Sequence, residues 1–254
     1  MPLTISNTHS VYAATVGDLK DRRAVKKART REHLRTVAQR MFAEGGFDAV
    51  TIADIARQAD VAVQTVFNHF PTKEELFFEG RVPWVDGFAA AVRDRAPGES
   101  PLTALRVCLV GTVRDLVASH STPERRCYIA TLEASESLRV QERELVHVAE
   151  LRLREALREA WTAEPDSPDT PADPATAAAL VAAVWLSTAR TLVVGQRPLL
   201  SDGGCPERAA AEITDLTDRL LGQLQGGPGA LHGRRADARR TDTGWPPAGM
   251  RRAV

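Results

Sequence analysis

The sequence is poor in cysteine and has no long uninterrupted apolar stretch. Its three cysteines, Cys108, Cys127 and Cys205, are odd in number and widely spaced. A disulfide framework is therefore not expected, and a reducing cytoplasm is the predicted compartment. No run of about 18 apolar residues occurs, so no membrane span is predicted. The N-terminal segment lacks the basic and then apolar pattern of a signal peptide.

The motifs of common enzyme classes are absent as well. The chain contains no GxGxxG, no phosphate-binding GxxxxGK, no GxSxG and no HExxH. Glu144 and His147 have the helical spacing of a metal pair, but they lie within the charged run QERELVHVAE. A solvated helix face is the better interpretation of such a run. We therefore expect no enzyme, no metal site and no cofactor.

The net charge of zero hides a strong asymmetry along the chain. Residues 20–40 contain nine basic and two acidic side chains, and residues 226–254 contain six basic and two acidic ones. Residues 41–225 carry 18 basic and 28 acidic side chains. A basic entry before an acidic body indicates a polyanion-binding end, although a solvated basic leader has the same composition. An acidic body argues against non-specific DNA packaging.

Helical periodicity dominates the rest of the chain, which predicts an all-α fold. An apolar stripe of Leu34, Val37, Ala38, Met41 and Phe42 marks a first helix, and a glycine pair stops it. Residues 1–25 show no such periodicity and are predicted to be a disordered arm. The Gly-, Pro- and Arg-rich residues 226–254 are predicted to be a disordered tail.

Two short helices are predicted next. Thr51 and Asp54 form a T-x-x-D start for one of them. A tight connection over residues 59–62 leads to the other, which we expect to turn Val66, Phe67 and Phe70 inward. Pro71 breaks this helix. A capping box at residues 72–75 then opens a fourth helix, which is predicted to continue past a kink at Pro83.

This pattern resembles the DNA-binding region of the tetracycline-repressor (TetR) family over residues 30–76. Asp60 stands where the family often has glycine, Ala62 where serine commonly caps the recognition helix, and His69 where tyrosine is favoured. The resemblance is carried by Phe42, Gly45, Gly46, Phe47, Thr51–Ala56, Ala59, Val61, Thr65–Phe70 and Lys73–Leu76.

The resemblance implies a domain organisation and a set of partners. Residues 26–72 are expected to form a three-helix helix-turn-helix domain, and residues 73–225 a helical bundle for ligand binding and dimerisation. The implied partners are double-stranded DNA, an unknown small-molecule effector and a second copy of the chain. The implied activity is that of a ligand-responsive repressor on a palindromic operator. A redox-responsive or ligand-independent DNA-binding regulator remains the alternative.

The predicted recognition helix presents polar side chains that can reach DNA. Gln64 and Asn68 carry amides that can pair with adenine in the major groove, and Val63 or the Thr65 methyl can touch a thymine methyl. A helix N-terminus and nearby cations are suited to phosphates, which give affinity without sequence information. The predicted DNA-contacting residues are Arg29, Arg31, Thr51, Val63, Gln64, Thr65, Asn68, His69 and Lys73.

The later helices carry bulky apolar and weakly polar residues on inward stripes, from which ligand cavities in bundles are built. An ordinary core contains the same residue types. Broad apolar stripes within residues 175–194 and 205–224 are predicted to pair with their symmetry mates in a dimer. The predicted pocket residues are Trp84, Phe88, Cys108, Thr112, Cys127, Tyr128, Trp185 and Thr188.

Overall fold

A computed structural model describes residues 8–201 and 205–226. No strand occurs in this part of the chain, and the predicted all-α fold is confirmed. A 3₁₀ turn, Ser119–Ser121, separates the sixth and seventh helices. The α-helices are α1 Thr8–Gly45, α2 Ile52–Gln58, α3 Val63–His69, α4 Lys73–Phe78, α5 Trp84–Arg93, α6 Pro101–Ala118, α7 Pro123–Ala134, α8 Glu136–Ala163, α9 Pro174–Ser201 and α10 Pro206–Gly226.

Helix α1 begins far earlier than the sequence pattern predicts. Residues 8–25, expected to belong to a disordered arm, are helical, whereas residues 1–7 lie outside the described part. The side chains of residues 22–29 are all exposed. This segment has no apolar stripe for periodicity to detect, yet its Ala, Lys and Arg residues are good helix formers. The predicted tail lies almost entirely outside the described residues.

The N-terminal core forms as the sequence pattern predicts. Leu34 and Phe42 are fully enclosed, and Gly46 ends α1 with a φ of +80°. The ring of Phe47 packs under the helix end, 5.0 Å from the Phe42 ring centroid. Because glycine tolerates this left-handed conformation without a side-chain clash, the chain can turn sharply into α2.

The start of α2 and the turn after it also agree with the predicted pattern. The Thr51 hydroxyl accepts the Asp54 backbone N–H at 3.1 Å, and the Asp54 carboxylate accepts the Thr51 N–H at 3.2 Å. Asp60 in the turn has a φ of +53°, a conformation in which glycine is the easiest residue. Ala62 gives α3 no side-chain cap.

The fourth predicted helix is in fact two helices. Helix α4 ends at Phe78 and α5 begins at Trp84, so the predicted continuous helix with a kink is wrong. Gly80 adopts a φ of +71°, which interrupts the helix before Pro83 is reached. Residues 79–83 therefore form a short connector between the N-terminal helices and the bundle.

The N-terminal core extends beyond the predicted domain boundary at residue 72. Phe77 of α4 is buried in it, as are Tyr128 and Leu132 of α7 and Leu138 at the start of α8. The Phe77 and Tyr128 rings stack with centroids 4.8 Å apart and planes 12° from parallel. Helix α7 consequently contacts both the N-terminal helices and the bundle.

A second core joins α5, α6, α8, α9 and α10. Trp185 of α9 lies in this core, and α10 lies along α6 through Ile213 and Leu221. Val181, Trp185 and Ile213, predicted to lie on exposed dimer stripes, are therefore buried within one subunit. The side chains of these stripes that remain large and exposed are Leu180, Val184 and Leu216.

Helix α9 is long and apolar enough over Pro174–Pro198 to span a membrane, which the sequence pattern did not predict. In the structure, 44% of its most apolar window is buried inside the protein. Its buried side chains contact α6, α8 and α10. A central helix of a bundle has this composition because apolar neighbours surround it on several sides.

Candidate nucleic-acid interface and bundle cavity

Helix α3 is anchored by two side chains and exposes the rest. Val66 and Phe70 are fully buried, whereas Gln64 and Asn68 are exposed, as predicted. Phe67 is 44% exposed, so its predicted inward position is wrong. Successive helical residues are rotated by about 100°, and one short helix cannot bury three stripes. Phe67 therefore joins the outward face.

The outward face of α3 places two amides side by side. The Gln64 Nε2 donates to the Asn68 Oδ1 at 3.2 Å, as residues four apart on a helix can. Val63 is exposed at the start of the same face, and Thr65 is half-buried. The two predicted base-reading side chains are thus brought together, and each keeps further donors or acceptors for a partner.

His69 at the end of α3 is more enclosed than its predicted role requires. Its Nδ1 is buried without a hydrogen-bond partner among the described residues. Burial, followed by the positive charges of Lys27 and Arg31, lowers the pKa of the imidazole. The ring is therefore neutral at physiological pH, and its direct access to a nucleic acid is reduced.

Arg31 binds the helices together. Its Nε and Nη2 donate to both oxygens of Glu79 at 2.6 and 2.7 Å, and its Nη1 donates to the His69 carbonyl. The guanidinium also lies 4.1 Å from the centroid of the Phe70 ring. Arg31 thus links α1 to the end of α3 and to the connector at residues 79–83. A phosphate would have to compete with Glu79 for it.

The other predicted phosphate contacts differ in availability. The Lys73 ammonium donates to the carbonyls of Phe47 and Val50 at 2.9 and 3.0 Å, which leaves it one further N–H. Thr51 is exposed, but its hydroxyl donates to Asp54 at 2.6 Å. Arg29 is exposed on α1 beside a run of further basic side chains.

A cavity of about 70 Å³ lies in the bundle beside the connector. Four of the predicted pocket residues line it, and their role in ligand binding stays a prediction. They are Trp84, Phe88, Thr112 and Tyr128.

The other four predicted pocket residues lie elsewhere. Trp185 is part of the solid core, and Thr188 donates to the Val184 carbonyl on another face of α9. Cys108 faces the Gly87 carbonyl, and burial raises the pKa of its thiol. Cys127 faces α1 instead, with its Sγ 3.7 Å from the Ala43 carbonyl. Each sits on a predicted helix but is rotated away from the cavity.

The cavity is strongly charged on one side. Arg197 is buried and donates to Glu133 at 2.7 Å and to Glu142 at 3.1 Å. The guanidinium carbons of Arg81 and Arg125 lie 4.8 and 4.4 Å from the centroid of the Tyr128 ring. Burial raises the pKa of Tyr128 to about 12, so its hydroxyl stays neutral.

Residues 34–79 match the sequence model of the bacterial regulatory proteins of the tetR family. The similarity to the tetR family is carried by these N-terminal residues. TcmR of Streptomyces glaucescens, an HTH-type transcriptional regulator, is 34% identical over 93 residues, which are 35% of this chain and 41% of TcmR. The HTH-type transcriptional repressor KstR of Rhodococcus jostii is 31% identical over 105 residues, which are 41% of this chain and 48% of KstR.

The matches to these two relatives span less than half of each relative's length. Among solved structures, NalD, the secondary repressor of the MexAB-OprM multidrug efflux pump in Pseudomonas aeruginosa, aligns with a TM-score of 0.46. The alignment has 21% identity and covers 76% of this chain and 96% of that one.

Sequence reasoning missed the charged residues of the bundle cavity. Arg81, Arg125, Glu142 and Arg197 all line it, but charged residues on helices are ordinarily interpreted as solvated. One signal was available for Arg197, which stands alone in the apolar run LVVGQRPLL. Because a lone charge in such a run seldom faces solvent, it indicates a buried partner or a site.

Proposed function

We propose that this chain is a DNA-binding transcriptional regulator that acts as a ligand-responsive repressor in the cytoplasm. The observation that carries the proposal is the outward face of α3, which presents paired amides in the region that matches the tetR family. Val66 and Phe70 hold this helix from beneath, so its polar face is held rigidly outward. Rigid presentation of polar groups is what reading of base edges requires.

In this proposal α3 enters the major groove. Gln64 and Asn68 contact base edges, and the exposed side chains of Val63 and Phe67, with the Thr65 methyl, lie against thymine methyls. Thr51, Lys73 and Arg29 contact phosphates, while Arg31 and His69 support the helix end and reach the backbone less directly. Binding to the DNA upstream of the chain's own gene, measured by mobility shift with specific and non-specific competitor, tests the proposal.

Replacement of Gln64 by alanine is expected to weaken binding to the cognate site by about 1–3 kcal/mol and to relax base preference at one position. The reason is that the amide can satisfy a base edge bidentately, whereas alanine cannot. Affinity and base preference would be measured on a library of singly substituted sites. Gln141→Ala on α8 is the matched control. Unchanged base preference in Gln64→Ala would contradict this docking.

The exposed basic side chains of α1 are expected to add affinity without specificity. Neutralising four of them should lower the slope of log affinity against log salt by about 0.9 for each phosphate that the protein no longer neutralises. As the control, neutralising four arginines on the surface of α8 should leave the slope unchanged. If the slope were also unchanged in the α1 variant, the basic side chains of α1 would not contact DNA. The α1 set is Arg23, Lys26, Lys27 and Arg29, and the α8 set is Arg139, Arg143, Arg152 and Arg154, all changed to glutamine.

Dimerisation completes the proposed DNA complex. Two recognition helices about 34–36 Å apart would contact successive major grooves, and the operator would be a rough palindrome. Leu180 and Val184 on α9 and Leu216 on α10 are exposed apolar side chains on two helices that contact each other. A two-fold interface between these helices and their symmetry mates would bury them.

The cavity is placed to couple an effector to α3. Its walls include Arg81 and Tyr128, and both contact Phe77 of α4. Helix α4 leads to Glu79, which holds Arg31 and thereby the end of α3. An engineered cavity of about 150 Å³ holds benzene, whereas this one is about 70 Å³. An organic effector must therefore move the walls, with a coupling of ordinary size, about 1–3 kcal/mol.

The redox alternative has less support. Burial raises the pKa of the Cys108 thiol, which disfavours the reactive thiolate. Cys127 and Cys205 are free, and neither lines the cavity.

A further inference from the structure

The cavity beside the connector has an unbalanced charge. Three arginines, Arg81, Arg125 and Arg197, are wholly or largely enclosed around it, and one carboxylate, Glu142, lines it with them. A fourth arginine of the lining, Arg190, is exposed. Enclosed cations are costly unless an anion or hydrogen bonds compensate them.

Glu142 is already committed to one of these cations. Both of its oxygens accept hydrogen bonds from the Arg197 guanidinium, which also donates to Glu133. Arg197 is therefore compensated by two carboxylates, whereas Glu142 acts on Arg125 through space, without a hydrogen bond.

Arg81 and Arg125 have no such compensation. Within residues 8–201 and 205–226, neither guanidinium lies within 4.0 Å of a carboxylate oxygen. Arg81 makes a long 3.4 Å hydrogen bond to the Phe77 carbonyl, and both lie near the Tyr128 ring. The Nε of Arg125 is buried with no hydrogen-bond partner.

Repulsion between neighbouring arginines also indicates that the charges of Arg81 and Arg125 are not fully compensated. Burial lowers the pKa of Arg81 and of Arg125, and the next unfavourable contributions come from neighbouring arginines. Both side chains nevertheless stay charged because arginine titrates so far above neutral pH. Two largely enclosed positive charges without an ion pair leave a local excess that an added anion can compensate.

We propose that this cavity takes a small organic anion, a carboxylate or phosphate on an apolar body, as the effector of the regulator. The oxyanion binds Arg125 with help from Arg81, and the body lies against Trp84, Phe88 and Val113. Arginine suits both headgroups because its planar fork pairs two oxygens at once. The inference rests on the proposed ligand response, but binding can be measured without DNA.

The first experiment compares anions with a neutral analogue of the same shape. Benzoate, octanoate and phenyl phosphate at millimolar concentration are expected to raise the midpoint of thermal unfolding and to change the tryptophan fluorescence through Trp84. Benzamide is expected to do neither. The carboxylates and the phosphate ester distinguish the two headgroups. The proposal would be overturned if benzamide stabilised the protein as much as benzoate does. It would also be overturned if none of the three anions stabilised the protein.

The second experiment removes the proposed anchor. Arg125→Met should lose roughly 10- to 100-fold in anion affinity, the worth of a charge-assisted hydrogen bond, and Arg125→Lys should recover part of it. Arg143→Met on the exposed face of α8 is the control, with wild-type affinity expected. Without anion, Arg125→Met should unfold at the wild-type temperature or above, because an uncompensated charge is removed. A clear drop in that temperature together with retained anion binding would make Arg125 a structural residue.

Binding and regulation are then separated by one further measurement. Benzoate is expected to release the protein from its upstream DNA in a mobility shift, and Arg125→Met is expected to stay bound. Anion binding that requires Arg125 but leaves DNA binding unchanged would support the anion site and contradict the ligand-responsive repressor. DNA release by benzamide as well as by benzoate would support the repressor and overturn the anion site.

Discussion

Replacing Val184 and Leu216 together with arginine is expected to convert dimers into monomers and to weaken operator binding by about 10²–10⁴-fold. Both side chains are exposed, at 39% and 36%, so arginine can be placed there without opening the core of the subunit. Two buried guanidiniums per subunit at an apolar interface would lack partners. A monomer then binds one half-site and loses the high effective concentration that its mate provides.

Light scattering and mobility shift on the same samples test this expectation. Val140→Arg, which replaces an exposed apolar side chain on α8, is the control and should remain dimeric with unchanged affinity. Helical circular dichroism should be the same in both variants. Dimers with wild-type affinity in the double variant would place the interface outside α9 and α10, and the proposed operator geometry would lose its basis.

Leu216 and Val184 are chosen, rather than a wider set, because a sequence pattern cannot distinguish burial within one subunit from burial at a dimer interface. A stripe of apolar residues indicates that a helix buries one face. It does not indicate whether that face is buried against the same subunit or against a second copy. Ile213 and Leu221 are covered by the subunit's own α6, and Trp185 by its own bundle. A partner can therefore contact only the side chains of each stripe that remain exposed, and these form a narrower surface than predicted.

Helices α2 and α3 were predicted well because their signals are local. A reciprocal cap at Thr51, a turn at Asp60 and a break at Pro71 each depend on residues a few positions apart. Phe67 was misplaced because three bulky residues in one short helix leave the choice of the buried pair to tertiary packing. In the structure α3 is oriented so that Val66 and Phe70 face the core and Phe67 faces outward.

Only Trp84, Phe88, Thr112 and Tyr128 of the cavity lining were predicted. The charged side was missed because it depends on contacts distant in sequence. Arg81 lies on the connector, Arg125 on α7 and Arg197 near the end of α9, and of these only Arg197 has a sequence context that indicates burial. Their meeting around Tyr128 and Glu142 follows from how α7 packs between the two cores. No spacing rule along the chain indicates it.

The first helical turns of α1 were missed for a different reason. A helix without a buried apolar stripe has no hydrophobic periodicity from which it could be predicted.

Changing Glu142 to glutamine is expected to lower the free energy of unfolding by about 2–3 kcal/mol, somewhat less than the ~3–5 kcal/mol typical of breaking a buried ion pair. Glu142 is 21% exposed and its partner Arg197 is 8% exposed, so solvent compensates little of the lost charge. Arg197 keeps Glu133, which moderates the loss. Urea unfolding monitored by circular dichroism provides the measurement.

Glu133→Gln is the matched control, because it removes the other carboxylate from the same guanidinium. Glu133 is 44% exposed, so its loss should cost under about 1 kcal/mol. The Glu142 variant also leaves Arg81, Arg125 and Arg197 without any carboxylate in the cavity lining, so benzoate should stabilise it more than it stabilises the wild type. Equal, small losses in the two variants would show that solvent reaches Arg197 freely. Equal stabilisation of Glu142→Gln and wild type by benzoate would mean that the anion does not bind near this carboxylate.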